Sequence, residues 1–217
     1  MSFFQIAAEL GEGMLTTLEI FLLTLLFSLP LGMIISFGRM TKNPVVRIIT
    51  KIYISIMRGT PLMLQLLIVY FGPYLIFGIR LSASYMFPAT IIAFVINYAA
   101  YFAEIYRGSI ESMEKGQYEA AQVLGLTTTQ TFFKVILPQV IKRALPSITN
   151  EIITLVKDTS LAFAIGVTEM FTISKQLASR ETNMLPYLAA GVFYYIFNYL
   201  VAFIMERIEK KLAYYKN

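Results

Sequence analysis

The chain predicts an all-α integral membrane protein of about five transmembrane helices, and three features of the sequence predict it. Of its 217 residues, 57% are apolar and only 14% charged, with a mean hydropathy of +0.66, outside the range of soluble domains. Apolar runs of about 20 residues, enough to cross roughly 30 Å of hydrocarbon, recur along it. Lysines and arginines fall in blocks between alternate runs, which is how a membrane protein records its cytoplasmic side. A net charge of +5 in a soluble protein suggests a nucleic-acid partner; here its blocked distribution assigns it to topology, so no nucleic acid is expected.

The composition also excludes chemistry. There is no cysteine and no histidine, so disulfides, thiol nucleophiles, Cys or His metal sites and a Ser-His-Asp triad are all out of reach. No G-x-x-x-x-G-K-[ST] or G-x-G-x-x-G string offers a phosphate cradle. The chain is expected to be no enzyme and to bind no cofactor; ATP, if it drives the protein, belongs to another subunit. One domain is expected over residues 1–217, without internal repeats.

Residues 1–12 lack the basic flank and short apolar core of a signal peptide and, with Phe3, Phe4, Ala7 and Leu10 opposite Glu9 and Glu12, suggest a short interfacial helix. The first span covers about Met14 to Phe37, with Pro30 and Gly32 as possible kink sites. Arg39, Lys42, Arg47 and Lys51 place the following linker in the cytoplasm and the N-terminus outside. A second span runs from about Ile52 to Phe77 and contains the string MRGTPLMLQ, in which Gly59 and Pro61 break the helix beside Arg58. Span three, about Tyr85 to Tyr106, ends in YFAEIYRG, with Asn97, Tyr101 and Glu104 on one face. A carboxylate inside a span is costly unless paired. Arg58 and Glu104 both stand one or two turns from the cytoplasmic end of their helices, and an ion pair between them is expected.

A polar segment follows, about residues 112–138. Tyr118 to Val123 has short-helix composition, Gly125 suits a left-handed helix end, and Thr127 to Thr129 can cap a second short helix that Pro138 breaks. The fourth span, about residues 147–168, scores poorly on hydropathy because it carries Asn150, Glu151, Thr154, Lys157 and Asp158. At 100° per residue, Glu151, Thr154 and Asp158 lie within about 60° of one another, with Asn150 and Lys157 beside them. That is a stripe turned toward protein or a cavity, and a candidate substrate-binding surface. An external loop with Glu169, Lys175, Arg180 and Glu181 leads to the last span, about Met184 to Met205, and Arg207, Lys210, Lys211 and Lys216 close the chain inside.

The spacing of Glu119, Ala120, Ala121, Gly125, Val135, Leu137 and Pro138 resembles the EAA loop of importer-type ABC transporter permeases. RGTPL with Gln65, AEIYRG and the KDTSL string at Lys157 to Leu161 are similar to segments of the permeases that handle histidine, arginine, glutamine, glutamate or cystine. The resemblance implies a type I importer fold with a five-helix core, in the plasma (inner) membrane. It also implies a second permease, identical or homologous, two cytoplasmic ATPase subunits carrying ATP and Mg, and an extracytoplasmic solute-binding protein. In that reading Glu119, Ala120, Ala121 and Gly125 couple to the ATPase. Glu151 and Asp158, with Asn150, Thr154 and Lys157, contact a basic amino acid, cystine or glutamine. The alternative is a secondary transporter or channel subunit, since intramembrane Lys, Asp and Glu also build ion relays. The EAA spacing argues against it, because such a carrier has no use for a docking helix.

Overall fold

The computed structural model describes residues 3–212, and all regular structure among them is helical. Nine α-helices follow in order: α1 (Phe3–Met40), α2 (Pro44–Gly59), α3 (Leu62–Phe77), α4 (Met86–Glu111), α5 (Lys115–Val123), α6 (Thr128–Thr131), α7 (Leu137–Asp158), α8 (Met170–Glu181) and α9 (Leu185–Leu212). Lys216, counted above in the C-terminal basic block, lies outside the described residues.

Helix α4 is the axis of the bundle because its small residues let neighbours in from several sides. Ala89, Ala93, Ala99, Ala100 and Ala103 are buried, and Phe94, Tyr98 and Phe102 fill the space between helices. Helix α1 lies along it. Gly32 does not kink α1, which is continuous through Pro30; it admits α4 instead, since a Cβ there would sit 2.8 Å from the Phe102 Cβ and 3.0 Å from the Ala99 carbonyl oxygen. Gly32→Val is therefore expected to cost about 1 to 3 kcal/mol through overpacking. The thermal midpoint of the purified protein checks this, and an unchanged midpoint would show that the α1–α4 contact relaxes freely.

The N-terminal turns, the fourth span and the outer loop differ from the sequence expectation. The N-terminal residues do not form a separate interfacial helix but the first turns of α1, because Ile6 and Leu10 are buried against Met170, Leu177, Ala189 and Ala190. The second span breaks where Gly59 and Pro61 were expected to break it, and the two helices on either side, α2 and α3, meet at a bend of 110°. Such a break frees backbone carbonyls, and polar side chains take them up: Gln65 Nε2 donates to the carbonyls of Met57 (2.9 Å) and Thr60 (3.1 Å), and Asn97 Nδ2 donates to Met57 (3.1 Å) and to Gln65 Oε1 (2.9 Å). Asn97 thus secures the bend. The fourth span begins ten residues earlier than expected and ends at Asp158, where a tighter 3₁₀ segment, Thr159–Ile165, turns at Gly166.

The expected outer loop is helix α8, and Glu169 is fully buried as its N-cap. Its carboxylate accepts from the backbone N–H groups of Phe171 and Thr172, both at 2.7 Å, and from the hydroxyls of Thr172 (2.9 Å) and Tyr194 (3.1 Å). Burial pushes this carboxyl above its ordinary range and the donated hydrogen bonds pull against that. By length and composition α1, α4 and α9 can each cross a membrane, and the bent α2–α3 pair makes a fourth candidate. Helix α7, with its charges, does not qualify on hydropathy and is held inside the bundle by Ala144, Leu145, Ile148, Ile152, Leu155 and Val156.

Candidate functional site

Two places carry the polar chemistry. The first is midway along α4. The Tyr98 hydroxyl donates to Asp158 Oδ2 at 2.8 Å, which ties α4 to the last turn of α7. One turn further along α4, the Arg58 guanidinium lies over the Tyr101 ring, 5.4 Å from its centroid, and within electrostatic reach of Glu151. Glu151 and Asp158 share a face of α7, seven residues and about 10 Å apart. Both are half-buried, whereas Asn150, Thr154 and Lys157 are exposed on the neighbouring face. The Thr154 hydroxyl donates to the Asn150 carbonyl of its own helix (3.0 Å), so it offers a partner its lone pairs only.

The expected Arg58–Glu104 pair is not formed. Glu104 is bonded by Arg107, which also reaches Glu111; i, i+3 and i, i+4 spacing on one helix brings these side chains together without any other element having to move. Arg58 forms no ion pair with Glu104 but stays within electrostatic reach of both Glu104 and Glu151, which joins it to the polar surface. Sequence reasoning missed Arg58 and Tyr98 as members of this surface. The RGTP break was the available signal, because a helix interrupted beside a cation turns that cation away from lipid.

The second place is the knuckle of α5 and α6. Gly125 has φ +73° and ends α5 as a Schellman motif, Leu126 N–H donating to the Ala121 carbonyl (3.1 Å) and Gly125 N–H to that of Gln122 (3.0 Å). Thr127 and Gln130 then form a reciprocal capping box that starts α6. Pro138 does not break the chain. A π-helical turn, Phe132–Ile136, widens the helix ahead of it, which relieves the clash a proline ring makes with the preceding turn, and α7 runs on.

Glu119, Ala120, Val123 and Leu124 are exposed on the knuckle, the last two at 88% and 78%. Ala121 is buried, at 3%, so it cannot meet a partner directly as expected: the turn rolls it inward, and a cysteine probe belongs at Val123. The knuckle is anchored to the bundle by Met113, Ile136 and Val140 and by the Phe132 ring against Phe37, centroids 5.5 Å apart.

With this geometry in place, comparison with known proteins is specific. Residues 28–214 match the family described as binding-protein-dependent transport system inner membrane component. The putative glutamine transport system permease protein of Rickettsia conorii is 37% identical over 203 residues, 93% of this chain and 91% of the relative. The L-cystine transport system permease protein of Bacillus subtilis is 36% identical over 208 residues, 95% and 87% of the two chains. Among solved structures, a crystal structure of an amino acid ABC transporter with histidines superposes with a TM-score of 0.86 at 28% identity, covering 97% of this chain and 99% of that one. The inward-facing MetNI methionine ABC transporter shares the fold, with a TM-score of 0.76 at 21% identity over 98% of this chain and all of that one.

Proposed function

Because this chain belongs to the family of binding-protein-dependent transport system inner membrane components, transport subunits of the membrane and not enzymes, we propose that it is the permease of an ATP-driven importer of polar amino acids. The candidates for cargo are a basic amino acid, cystine and glutamine. One observation carries the reading beyond the family: midway along the bundle a cation, Arg58, and two carboxylates, Glu151 and Asp158, stand around one surface. An amino acid presents the complementary pair, with its ammonium directed to the carboxylates and its carboxylate to the guanidinium.

In this reading two permease copies, identical or homologous, sit side by side with N-termini outside and C-termini in the cytoplasm. Two ATPase subunits, which hold ATP and Mg, receive the α5–α6 knuckles, and an extracytoplasmic solute-binding protein delivers cargo. Closure of the ATPase dimer pushes on both knuckles. In each knuckle α6 runs on through the π turn into α7, so the push reaches Glu151 and Asp158 along one continuous stretch of helix. Nucleotide thereby biases a two-state rearrangement that alternates access to the polar surface.

Reconstitution into proteoliposomes with the ATPase and a panel of labelled amino acids tests this. Uptake is expected to require ATP and to be competed by one charge class of amino acid. Uptake by the permease alone, driven by an ion gradient, would instead establish a secondary carrier. In this cysteine-free chain, Val123→Cys is expected to crosslink to a cysteine on the ATPase surface, and failure across a set of ATPase positions would remove the docking role.

A further inference from the structure

Helix α8 and the coupling knuckle lie at opposite ends of α1. The Thr17 hydroxyl accepts from Met170 N–H at the start of α8, whereas Phe37 packs on Phe132 of the knuckle. The twenty residues between Thr17 and Phe37 separate the two by about 30 Å, the thickness of the hydrocarbon core. At the α8 end an open surface hollow is lined by Phe163 and Thr172 and by the exposed Lys175, Gln176 and Ser179. The four α8 residues fall at helical spacing on one face. Phe163 belongs to the 3₁₀ segment that follows Asp158, and its ring is braced edge-on by Phe171, centroids 5.3 Å apart.

We propose that this hollow is an entry subsite, where the carboxylate of an incoming amino acid meets Lys175 before the cargo descends to the surface around Asp158. The proposal rests on the transport reading above. The Lys175 ammonium lies 5.2 Å from the Phe163 ring centroid and, among the described residues, forms an ion pair with no carboxylate. It is an exposed cation held over an aromatic ring and open to an approaching carboxylate. The Thr172 hydroxyl is committed to the Val167 carbonyl and Glu169, so the Gln176 amide and the Ser179 hydroxyl are the groups that can complete recognition. Five residues of 3₁₀ helix separate Phe163 from Asp158, about 10 Å at 2 Å per residue, one amino-acid length from the deeper carboxylate. The exposed Lys157 lies beside Asp158 and offers the carboxylate its next cation.

The test uses the complete complex in proteoliposomes, with ATPase and saturating cargo-loaded binding protein. Lys175→Ala is expected to lower uptake about tenfold, the effect of one lost charge-assisted hydrogen bond, while ATP hydrolysis stimulated by the loaded binding protein stays at the wild-type rate. Lys175→Arg is expected to restore most of the uptake. Unchanged uptake in Lys175→Ala overturns the subsite alone. Loss of ATPase stimulation in step with uptake also overturns it and makes the hollow a docking surface for the binding protein. A wild-type complex that moves no amino acid overturns the transport reading and the subsite together. Independently, Gln176→Cys is expected to react with an anionic, membrane-impermeant methanethiosulfonate added outside, and the adduct to block uptake. Absence of reaction, or reaction without effect on uptake, overturns the proposal.

Discussion

Gly125→Val is expected to abolish ATP-driven uptake in a permease that still inserts into the membrane. The reason is the backbone and not space: no atom lies within 4 Å of where a Cβ would stand, but φ is +73°. The left-handed region costs an L-residue about 1 to 2 kcal/mol, and β-branched side chains are worst there. About 1.4 kcal/mol is tenfold in an equilibrium, so the native turn between α5 and α6 loses about a factor of ten against alternative conformations. The turn carries the Schellman bonds from Gln122 and Ala121 and fixes where the capping box of Thr127 begins; losing it moves exposed Val123 and Leu124 relative to the anchored π turn. Gly125→Asn should be the mildest substitution, since Asn enters this region most readily after glycine. Uptake and retention of the ATPase on purification are the measurements. Full uptake by Gly125→Val with a normally associated ATPase would show that the knuckle transmits no force.

Neutralising the two carboxylates of α7 should have the next largest effect. Glu151→Gln and Asp158→Asn keep shape and hydrogen-bonding capacity but remove the charge proposed to face the cargo's ammonium. A hydrogen bond to a charged group contributes about 1.5 to 3 kcal/mol, so uptake of a cationic amino acid should fall about 10- to 100-fold, with selectivity shifting toward neutral cargo. Asp158 and Tyr98 separate this from a merely structural role. The Tyr98 hydroxyl donates to Asp158 at 2.8 Å, and Tyr98→Phe removes that bond while leaving the charge. A pocket predicts a small change of uptake in Tyr98→Phe and a large one in Asp158→Asn. A structural bridge predicts equal losses of assembly in both. Unchanged kinetics and selectivity in both carboxylate variants would exclude the pocket.

The parts of the site that were legible beforehand are those set by near neighbours in the chain. The polar face of α7 follows from spacing along one helix, and the left-handed end of α5 follows from Gly125 in its local string. Where sequence reasoning failed, several partners were open to one group and only the folded structure chose among them. Arg58 was matched to Glu104 by depth, yet Arg107 was three residues from Glu104 and had no distance to cover. Ala121 was assigned to coupling through the resemblance alone, and the knuckle's own packing buries its side chain. Glu169 looked like a loop charge because four donors that surround it, from Phe171, Thr172 and Tyr194, are invisible as a pattern.

By itself the sequence determined that this is a helical membrane protein, where its principal spans lie, and that a polar segment with a glycine turn interrupts them. Hydrocarbon permits so few ways of satisfying a backbone that apolar length and charge placement suffice for these conclusions. Tertiary structure alone decided the 110° angle at the break that Gly59 and Pro61 had placed in the second span, the burial of Glu169, the fusion of the N-terminal turns into α1 and the company that Arg58 keeps. Beside its local contacts each of these draws on one between segments remote in the chain, Asn97 with Met57, Tyr194 with Glu169, Ile6 and Leu10 with Met170, and Tyr101 with Arg58, and the energy of such a contact belongs to the pair and not to either stretch of sequence.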